Sequence, residues 1–277
     1  MKPTETFSQW KGNSHLRNDL RSAIRDTLIR GLAIGQHPEE TNNWIRFPYY
    51  HHVFLDERKG FARQIRYLKS VGEFISIEDA ITLIRSENQI DGRYFCVTFD
   101  DGLKSCWTGA VPILVELNVP ATFYVITALV GKSFDPDHEV SRNTLGFKGI
   151  NTVLEFIDWN ECRSMSQCGM TIGSHTENHF HLNNLPDNEV RNEMINSKVK
   201  IEHELGTECR HFCAPYGNLT DHDLKQLGKL AKSLGYVSFA TGKRGPNKMG
   251  DSAFRLKRDH LLSNWGIHQL KYFFSRP

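Results

Sequence analysis

Val97-Thr-Phe-Asp-Asp-Gly102 is the most informative stretch of this 277-residue chain, because it joins a hydrophobic strand to two adjacent carboxylates. The β-branched and aromatic residues from Tyr94 to Phe99 predict a buried strand, which the carboxylates and the glycine end. Neighbouring side chains of a strand point apart, but the backbone turns out of the sheet at the strand's carboxyl end. Asp100 and Asp101 can then both approach one cavity, one as a ligand and one as a base.

A second segment with metal-binding chemistry is Ser174-His-Thr-Glu-Asn-His179, which follows a predicted strand. His175 and His179 are four apart, a spacing that lets two imidazoles on one helical turn or tight loop bind the same ion. With one aspartate they supply three protein ligands and leave a position for water, the pattern of catalytic rather than structural zinc. Nickel, cobalt, manganese or iron would fit the same donors.

Neither motif is specific by itself. An isolated Asp-Asp-Gly is usually a turn, and His-x-x-x-His pairs arise by chance in a chain with 13 histidines. The order of the segments carries the argument, since a third one, Phe212-Cys-Ala-Pro-Tyr-Gly217, follows at a similar interval.

The pattern of the whole chain favours a single α/β domain. Apolar strands alternate with amphipathic helical segments from about residue 47 to the end, which predicts parallel strands with helices outside. The chain contains no low-complexity linker and no internal repeat, and its length is ordinary for an α/β barrel.

Taken together, these segments resemble the polysaccharide deacetylases of the NodB-homology type, carbohydrate esterase family 4. The resemblance implies a distorted, incomplete (β/α) barrel over residues 47–277, with a helical extension at residues 1–46 and the site at the carboxyl ends of the strands. The matching stretches outside the two metal-site motifs are Tyr50-His-His-Val53, Ala110-Val-Pro-Ile-Leu, Val119-Pro-Ala-Thr-Phe-Tyr-Val, Ile157-Asp-Trp159, Gly169-Met-Thr-Ile-Gly173, Ser197-Lys198 and Gly235-Tyr236.

The resemblance also implies roles for the residues of the two motifs. One divalent metal ion would be held by Asp101, His175 and His179, and zinc suits these three ligands best. Asp100 would be the general base that takes a proton from the water that attacks an acetyl carbonyl. The implied reaction removes an N-acetyl group from an amino sugar in a saccharide.

Further roles follow from the loop and the C-terminal region. The backbone N–H of Tyr216 would hold the oxyanion, in a loop shaped by Pro215 and Gly217. Arg258 is similar in place to the arginine that pairs with the base in relatives with a Pro-Tyr-Gly loop, and Arg255 is the alternative. Such a cation would keep the base ionised.

Aromatic side chains in the cleft would contact the saccharide. Pro215 and Trp159 are assigned to substrate binding, whereas packing in the core is favoured for Trp107 and Trp265.

The chain departs from the family pattern at two places. Residues 212–214 (Phe-Cys-Ala) stand where an arginine often precedes the Pro-Tyr pair. The family's Leu-His pair, which supplies the general acid, has no unambiguous counterpart. His260 is the nearest candidate, followed by His268 and His51.

The N-terminal 46 residues contain an apolar repeat. Leu16, Leu20, Ile24, Leu28 and Leu32 recur every four residues and predict a helix. The favoured interpretation is a helix whose apolar stripe packs on the barrel or plugs one end. A membrane-surface helix and a dimer interface are the alternatives.

Composition and termini bear on compartment and partners. The start of the chain, Met1-Lys-Pro-Thr-Glu-Thr, lacks an apolar signal-peptide core, no apolar run is long enough to span a membrane, and six scattered cysteines fit a reducing compartment. We therefore expect a cytoplasmic enzyme acting on a soluble or lipid-linked precursor of lipopolysaccharide, capsule or O-antigen. A net charge of +2 argues against nucleic acid as a partner. The oligomeric state is left open.

Two other function classes stay open from the sequence. The same site could hydrolyse another non-peptide carbon–nitrogen bond, in a formamide, a cyclic imide or a ureide. The second open class is a saccharide-binding protein descended from a deacetylase, although a binding protein has no need of a base beside its metal.

Overall fold

The computed structural model describes residues 2–11, 16–38, 41–135, 138–139, 152–217 and 219–275, without the side chains of residues 11 and 16–23. The strands are β1 (Trp44–Arg46), β2 (Pro48–Tyr50), β3 (Glu73–Phe74), β4 (Arg93–Phe95), β5 (Val97–Phe99), β6 (Ala121–Val125), β7 (Ser133–Phe134), β8 (Leu154–Glu155), β9 (Thr171–Ser174), β10 (His211–Cys213), β11 (Ser238–Ala240) and β12 (Asp259–His260). The helices are α1 (Phe7–Lys11), α2 (Leu16–Leu32), α3 (Arg58–Val71), α4 (Ile77–Arg85), α5 (Val111–Glu116), α6 (Trp159–Gln167), α7 (Asp187–Leu205), α8 (Asp221–Ser233) and α9 (Ile267–Phe274).

A seven-stranded parallel sheet carries the site, with the order β11-β10-β9-β6-β5-β2-β12. β5 and β6 are buried at every position, as parallel strands covered on both faces must be. On the side that faces the helices, the rings of Phe99 and Phe123 stack with their centroids 4.6 Å apart, and Phe99 also contacts Phe61 of α3. A second sheet has the strand order β1-β4-β3. Its strands β1 and β4 lie directly before β2 and β5 of the main sheet, and only Phe47 and Cys96 separate them.

The sheet curls because one short segment bonds to both of its edges. The backbone N–H of Leu256 donates to Phe239 O at 2.9 Å, at the β11 edge. Three residues later, the chain pairs with β2 through Asp259 and His260. The segment therefore bridges the first and last strands and places Arg258 in the interior. The predicted distorted (β/α) barrel is confirmed.

The N-terminal part of the chain is joined to this barrel rather than set apart from it. β1 pairs in parallel with β4, so the sheet structure begins before the predicted boundary at residue 46. Further upstream, the backbone N–H of Thr4 donates to Val153 O at 2.9 Å. No helix in the described ranges is long and apolar enough to cross a membrane.

α2 packs on the barrel with a different face from the one the apolar repeat predicts. Ile24, Leu28 and Leu32 are each more than half exposed, whereas Ile29 and Ala33 are buried. A repeat of exactly four residues overshoots the 3.6-residue turn by about 40° at each step, so it winds around the helix instead of marking one face. The prediction that this stripe packs on the barrel is wrong for these three residues, and the side chains of Leu16 and Leu20 lie outside the described residues.

The docked face of α2 is partly polar. Asp26 accepts a hydrogen bond from His268 Nε2 on α9 at 2.7 Å and one from Arg30 Nε at 2.9 Å. His268 is thus engaged away from the strand ends, which removes it as a general-acid candidate.

A buried histidine holds the start of β10, the strand that leads into the Pro-Tyr-Gly loop. His211 Nδ1 lies 2.8 Å from Ser238 Oγ, and its Nε2 lies 2.9 Å from Glu78 Oε1. Burial lowers the pKa of His211 more than the neighbouring carboxylate of Glu78 raises it. The folded protein therefore takes up this proton less readily than the unfolded chain.

This histidine makes stability dependent on pH. Its contribution is complete above the unfolded pKa of about 6.5 and declines as the pH falls below it, with a slope of at most about 1.4 kcal/mol per pH unit. We expect His211→Gln to flatten the dependence of the unfolding free energy between pH 7.5 and 5.5 in urea titrations. His203→Gln, at a side chain that is 80% exposed, is the control and should keep the wild-type slope. Equal slopes in all three proteins would contradict the assignment.

Candidate active site

One cavity of about 350 Å³ opens at the carboxyl ends of the parallel strands. Seven of the residues assigned from the sequence line it together: Asp100, Asp101, His175, His179, Tyr216, Arg258 and His260. They come from the ends of β5, β9, β10 and β12 and from the loops that follow, where parallel strands with right-handed crossovers collect functional side chains.

Strained backbone brings several of these side chains to the cavity. Asp101, Thr176, His179 and Tyr216 have φ angles of 71°, 67°, 61° and 62°, in the left-handed region that non-glycine residues rarely adopt. Such conformations cost free energy and cluster at functional sites. For Asp101 the left-handed turn has a direct use, because it lets two consecutive carboxylates face the same cavity.

Asp101, His175 and His179 have the geometry of a metal-binding trio. Asp101 Oδ1 lies 3.4 Å from His175 Nε2 and 3.3 Å from His179 Nε2, and it is buried without a hydrogen-bond partner among the described residues. Two ligands that each bond a tetrahedral zinc ion at about 2.0–2.1 Å lie about 3.3–3.4 Å apart. The three donor atoms therefore fit one divalent ion, and the donor set suits zinc without excluding other transition metals.

The hydrogen bonds around the histidines orient them for this role. His175 Nδ1 lies 2.9 Å from the carbonyl oxygen of Cys213, which can only accept, so Nδ1 carries the proton and Nε2 presents its lone pair. His179 sits in a loop rather than on a helix, and its backbone N–H donates to Thr176 Oγ1 at 3.0 Å. Burial alone would raise the pKa of Asp101, but the two imidazoles hold this pKa well below its usual range.

In a second trio, Asp100, His175 and Cys213, the possible ligand atoms also lie within 4.8 Å of one another. It is the poorer metal site, because both oxygens of Asp100 already accept hydrogen bonds from Arg258 and His175 Nδ1 is already committed. The remaining ring nitrogen of His175 faces Asp101 instead.

Asp100 forms a buried two-point ion pair with Arg258. The Nη1–Oδ1 and Nη2–Oδ2 distances are 2.7 and 2.8 Å, and both side chains are at most 3% exposed. Arg258 Nε donates to Thr241 O at 2.9 Å, and the guanidinium lies 4.2 Å from the ring centroid of Tyr49. Burial alone would raise the pKa of Asp100, but the guanidinium outweighs it and keeps the carboxylate ionised.

The structure distinguishes between the two arginines proposed for this role. Arg255 pairs instead with Asp221 at the surface. Cys213 is one of the residues at the place where the family pattern often has an arginine before the Pro-Tyr pair. Its Sγ lies 2.9 Å from Arg258 Nη2. The cation beside the base thus comes from the closing segment of the barrel and not from the β10 loop.

Removal of the guanidinium should show how much the base depends on it. Arg258→Met leaves a buried carboxylate without its partner, so we expect the free energy of unfolding to fall by about 3–5 kcal/mol. The pKa of Asp100 should rise because burial then acts alone, which moves the acid limb of the pH–rate profile to higher pH. Metal content should not change.

The double variant Asp100→Asn/Arg258→Met is the matched control for this prediction, since it removes the buried charge itself. It should recover part of the lost stability in urea titrations. An unchanged pH–rate profile in Arg258→Met would contradict the contact.

Two further histidines, His51 and His260, line the cavity beside Tyr49. Their rings meet edge to face with centroids 5.1 Å apart. Burial lowers the pKa of His51. Burial is also the main cause that lowers the pKa of His260 to about 3, and the positive charge of Arg244 acts in the same direction. Both imidazoles are therefore neutral at neutral pH. His260 would have to be protonated before the reaction to act directly as a general acid.

The loop after β10 presents Tyr216 to the cavity. The backbone N–H of Gly217 donates to Pro215 O at 2.8 Å, which closes a tight turn around the left-handed Tyr216. The ring of His181 stacks on Tyr216 with a centroid distance of 3.6 Å and an interplanar angle of 11°. His181, an exposed residue that the sequence analysis did not single out, thus supports the loop.

The structure does not bring the two residues assigned to substrate binding to the cavity lining. Trp159 is the first residue of α6 and packs against the main hydrophobic core. Pro215 is buried beneath the turn, while its neighbours Ala214, Tyr216 and Gly217 line the cavity. Trp107 and Trp265 also pack on the core, as favoured from the sequence.

Sequence reasoning missed Cys213 and Trp10 as parts of the site. Cys213 carried a weak signal, because it ends the strand before the Pro-Tyr-Gly loop. Trp10 carried none, since nothing local in the sequence indicates that a residue so near the N-terminus reaches the cavity.

Comparison with known proteins agrees with this geometry. Residues 87–238, more than half of the chain, match the family model described as polysaccharide deacetylase. The chain therefore belongs to the polysaccharide deacetylase family, and the predicted NodB-type relationship is confirmed.

Two curated relatives are distant in sequence. YxkH of Bacillus subtilis strain 168, which bears the family's name, is 22% identical over 182 residues, covering 65% of this chain and 58% of that protein. The chain thus spans less than two thirds of that relative. The poly-beta-1,6-N-acetyl-D-glucosamine N-deacetylase of Staphylococcus aureus is 25% identical over 232 residues, covering 76% of this chain and 71% of that protein.

Two solved structures share the fold. IcaB from Ammonifex degensii superimposes with a TM-score of 0.68 at 21% identity, covering 85% of this chain and 99% of that chain. The Streptococcus pyogenes deacetylase PplD in complex with acetate gives a TM-score of 0.66 at 23% identity, covering 84% of this chain and 99% of that chain.

Proposed function

We propose that this protein is a metal-dependent hydrolase that removes N-acetyl groups from amino-sugar units of a saccharide. The observation that carries the proposal is the juxtaposition of an ionised, buried carboxylate, Asp100, with the convergent trio of Asp101, His175 and His179 in one cavity. A base beside a metal-binding trio is what hydrolysis of an amide requires.

The ion and the two residues of the ion pair have separate roles in the proposed reaction. A bound divalent ion would polarise the acetyl carbonyl and raise the acidity of water. Asp100 takes a proton from the attacking water, and it can do so because each carboxylate oxygen keeps a lone pair beyond the one that Arg258 uses. Arg258 holds the carboxylate in place and ionised.

The loop after β10 would bind the charge that develops on the acetyl oxygen. The turn at Pro215, Tyr216 and Gly217 holds the backbone of Tyr216 in one conformation, so that its N–H is pre-organised for an oxyanion. The ring of His181, stacked on Tyr216, restricts the loop further.

The leaving nitrogen needs a proton, and the cavity contains two neutral imidazoles near it. His51 and His260 have lowered pKa values, so neither holds a proton before the reaction at neutral pH. The proton that Asp100 takes from water is the one that returns to the amine, directly or through one of these imidazoles. The balance is then one water consumed, and one acetate and one protonated amine released, since both protons of the water end on the nitrogen.

For the substrate, we propose a saccharide that contains N-acetylglucosamine. The name of the Staphylococcus aureus relative, a poly-beta-1,6-N-acetyl-D-glucosamine N-deacetylase, supports this choice of sugar. A cytoplasmic location, expected from the sequence, would favour a soluble or lipid-linked precursor of lipopolysaccharide, capsule or O-antigen over the finished polymer.

The experiment is acetate release from a panel of N-acetylated monosaccharides, β-1,6-linked oligosaccharides, lipid-linked precursors and insoluble polymer. Zinc-loaded wild type is compared with Asp100→Asn. Acetate released by wild type alone supports the proposal, and the preferred panel member identifies the substrate class. Release from insoluble polymer without any from small or lipid-linked sugars would refute the precursor proposal.

Silence across the whole panel, with metal bound stoichiometrically, would refute N-deacetylation. Formamides, cyclic imides and ureides would be tested next, and saccharide binding without turnover would indicate a binding protein.

A further inference from the structure

The N-terminal segment is tied to the barrel beside the active site by hydrogen bonds at both of its flanks. Thr4 Oγ1 lies 2.6 Å from Thr152 Oγ1, next to the bridge between residues 3 and 153. On the other flank, the backbone N–H of Leu55 donates to Glu5 O at 2.9 Å, and that of Phe7 donates to Asp56 Oδ1 at 3.0 Å. Residues 3–10 are thus held between the loop after β2 and the strand β8.

This anchorage positions Trp10 at the wall of the catalytic cavity. Its ring centroid lies 4.8 Å from that of His52 and 5.2 Å from that of Phe54, two buried rings that follow β2. Trp10 itself is only half-buried, and it lines the cavity that contains Asp100 and Asp101. An aromatic face held by other rings is a rigid surface on which an apolar sugar face can stack.

Trp10 also lines a second cavity, of about 230 Å³. One wall of this second cavity is the N-terminal segment itself, with Thr4 and Glu5. Another wall is the helical segment that begins shortly after Asp101 and includes Lys104, Ser105 and Thr108. The two cavities therefore share the side chain of Trp10 as part of their walls.

The polar groups of the second cavity suit a neutral, hydroxyl-rich ligand. Ser105 is 8% exposed, and its Oγ has no hydrogen-bond partner among the described residues beyond a weak contact with the thiol of Cys106. The positive charge of Lys104 is balanced by Glu161 at 2.5 Å, so the cavity has no unpaired cation at this position to favour an anion. Apolar walls with a few convergent polar groups are typical of small-ligand sites.

We infer that the second cavity is a subsite for the sugar unit next to the one that is deacetylated, with Trp10 as the stacking residue shared by the two units. The inference rests on the proposed function and narrows it, because the substrate then contains at least two linked sugars. It also assigns a role in specificity to the N-terminal segment, which lies outside residues 87–238 of the family match.

The kinetic test uses the zinc-loaded chain of 277 residues with N-acetylglucosamine and its β-1,6-linked disaccharide and pentasaccharide. We expect Trp10→Ala to raise KM about tenfold for the disaccharide, equivalent to about 1.4 kcal/mol, with kcat within about twofold. For the monosaccharide, which contacts the indole with one sugar unit only, KM should rise by no more than about threefold. Trp10→Phe keeps an aromatic face and should recover most of the loss. Trp265→Ala removes a half-buried tryptophan that lines neither cavity and is the matched control.

A binding measurement separates this inference from the proposed function. In ¹H–¹⁵N spectra of the zinc-loaded Asp100→Asn variant, the indole N–H signal that Trp10→Phe removes should shift on addition of the disaccharide, and shift little with the monosaccharide. If wild type releases no acetate but this shift occurs, the proposed function fails and the subsite stands. An unshifted Trp10 signal, or equal kinetic losses for monosaccharide and disaccharide in Trp10→Ala, would overturn the inference.

Discussion

Asp100→Asn is expected to lower kcat by about 10³-fold while the protein keeps its full metal content. The amide preserves the size of the side chain but cannot take a proton from water. Its amino group would face a guanidinium nitrogen of Arg258, so some loss of stability is also expected. Acetate release, metal analysis by mass spectrometry and thermal unfolding would be measured on the same preparation.

Asp91→Asn is the matched control for this change, since Asp91 is an exposed carboxylate outside the cavity. It should behave as wild type in all three measurements. If Asp100→Asn kept kcat within about tenfold of wild type, the general base would have to be another residue. Loss of metal in Asp100→Asn would instead place this carboxylate among the ligands.

His175→Ala and Asp101→Ala are each expected to lose the metal and the activity together. Two protein ligands would remain in each variant, so zinc affinity should fall by at least about 100-fold, more than for the loss of a supporting residue. Removal of either side chain also removes one of the contacts between the buried polar atoms of the trio. Zinc titration by calorimetry and acetate release would test both effects.

His203→Ala, at an exposed position on α7, is the control for non-specific effects of losing an imidazole. Stoichiometric metal in both ligand variants would contradict the assignment of Asp101, His175 and His179 as metal ligands. Retained activity without metal would show that hydrolysis proceeds by another route.

The local motifs predicted which side chains come together in the cavity. A strand that ends in Asp100 and Asp101, and a strand that ends before His175 and His179, are properties of short segments, and parallel strands bring such ends to one edge of a sheet. The pairing of Arg258 with Asp100 was also anticipated, although only through resemblance. Position along the chain alone could not separate Arg258 from Arg255.

Patterns that depend on helix geometry were predicted less well. The four-residue repeat in α2 indicated a helix correctly but not its buried face, because the docking surface was chosen by Ile29, Ala33 and the contact of Asp26 with α9. Trp159 was assigned to the substrate because of its neighbourhood in the sequence. The start of α6 directs it into the core instead.

The alternation of strands and helices, the two carboxylates and the two imidazoles could therefore be predicted from the chain itself, because backbone periodicity and ligand chemistry act over a few residues. Other properties required the closed barrel. The segment at residues 256–260 must bond to both sheet edges before Arg258 reaches Asp100. The imidazole of His260 is neutral because it is buried close to cationic side chains. The place of Trp10 at the cavity wall likewise depends on contacts with residues far along the chain, since burial and proximity are set by packing and not by local sequence.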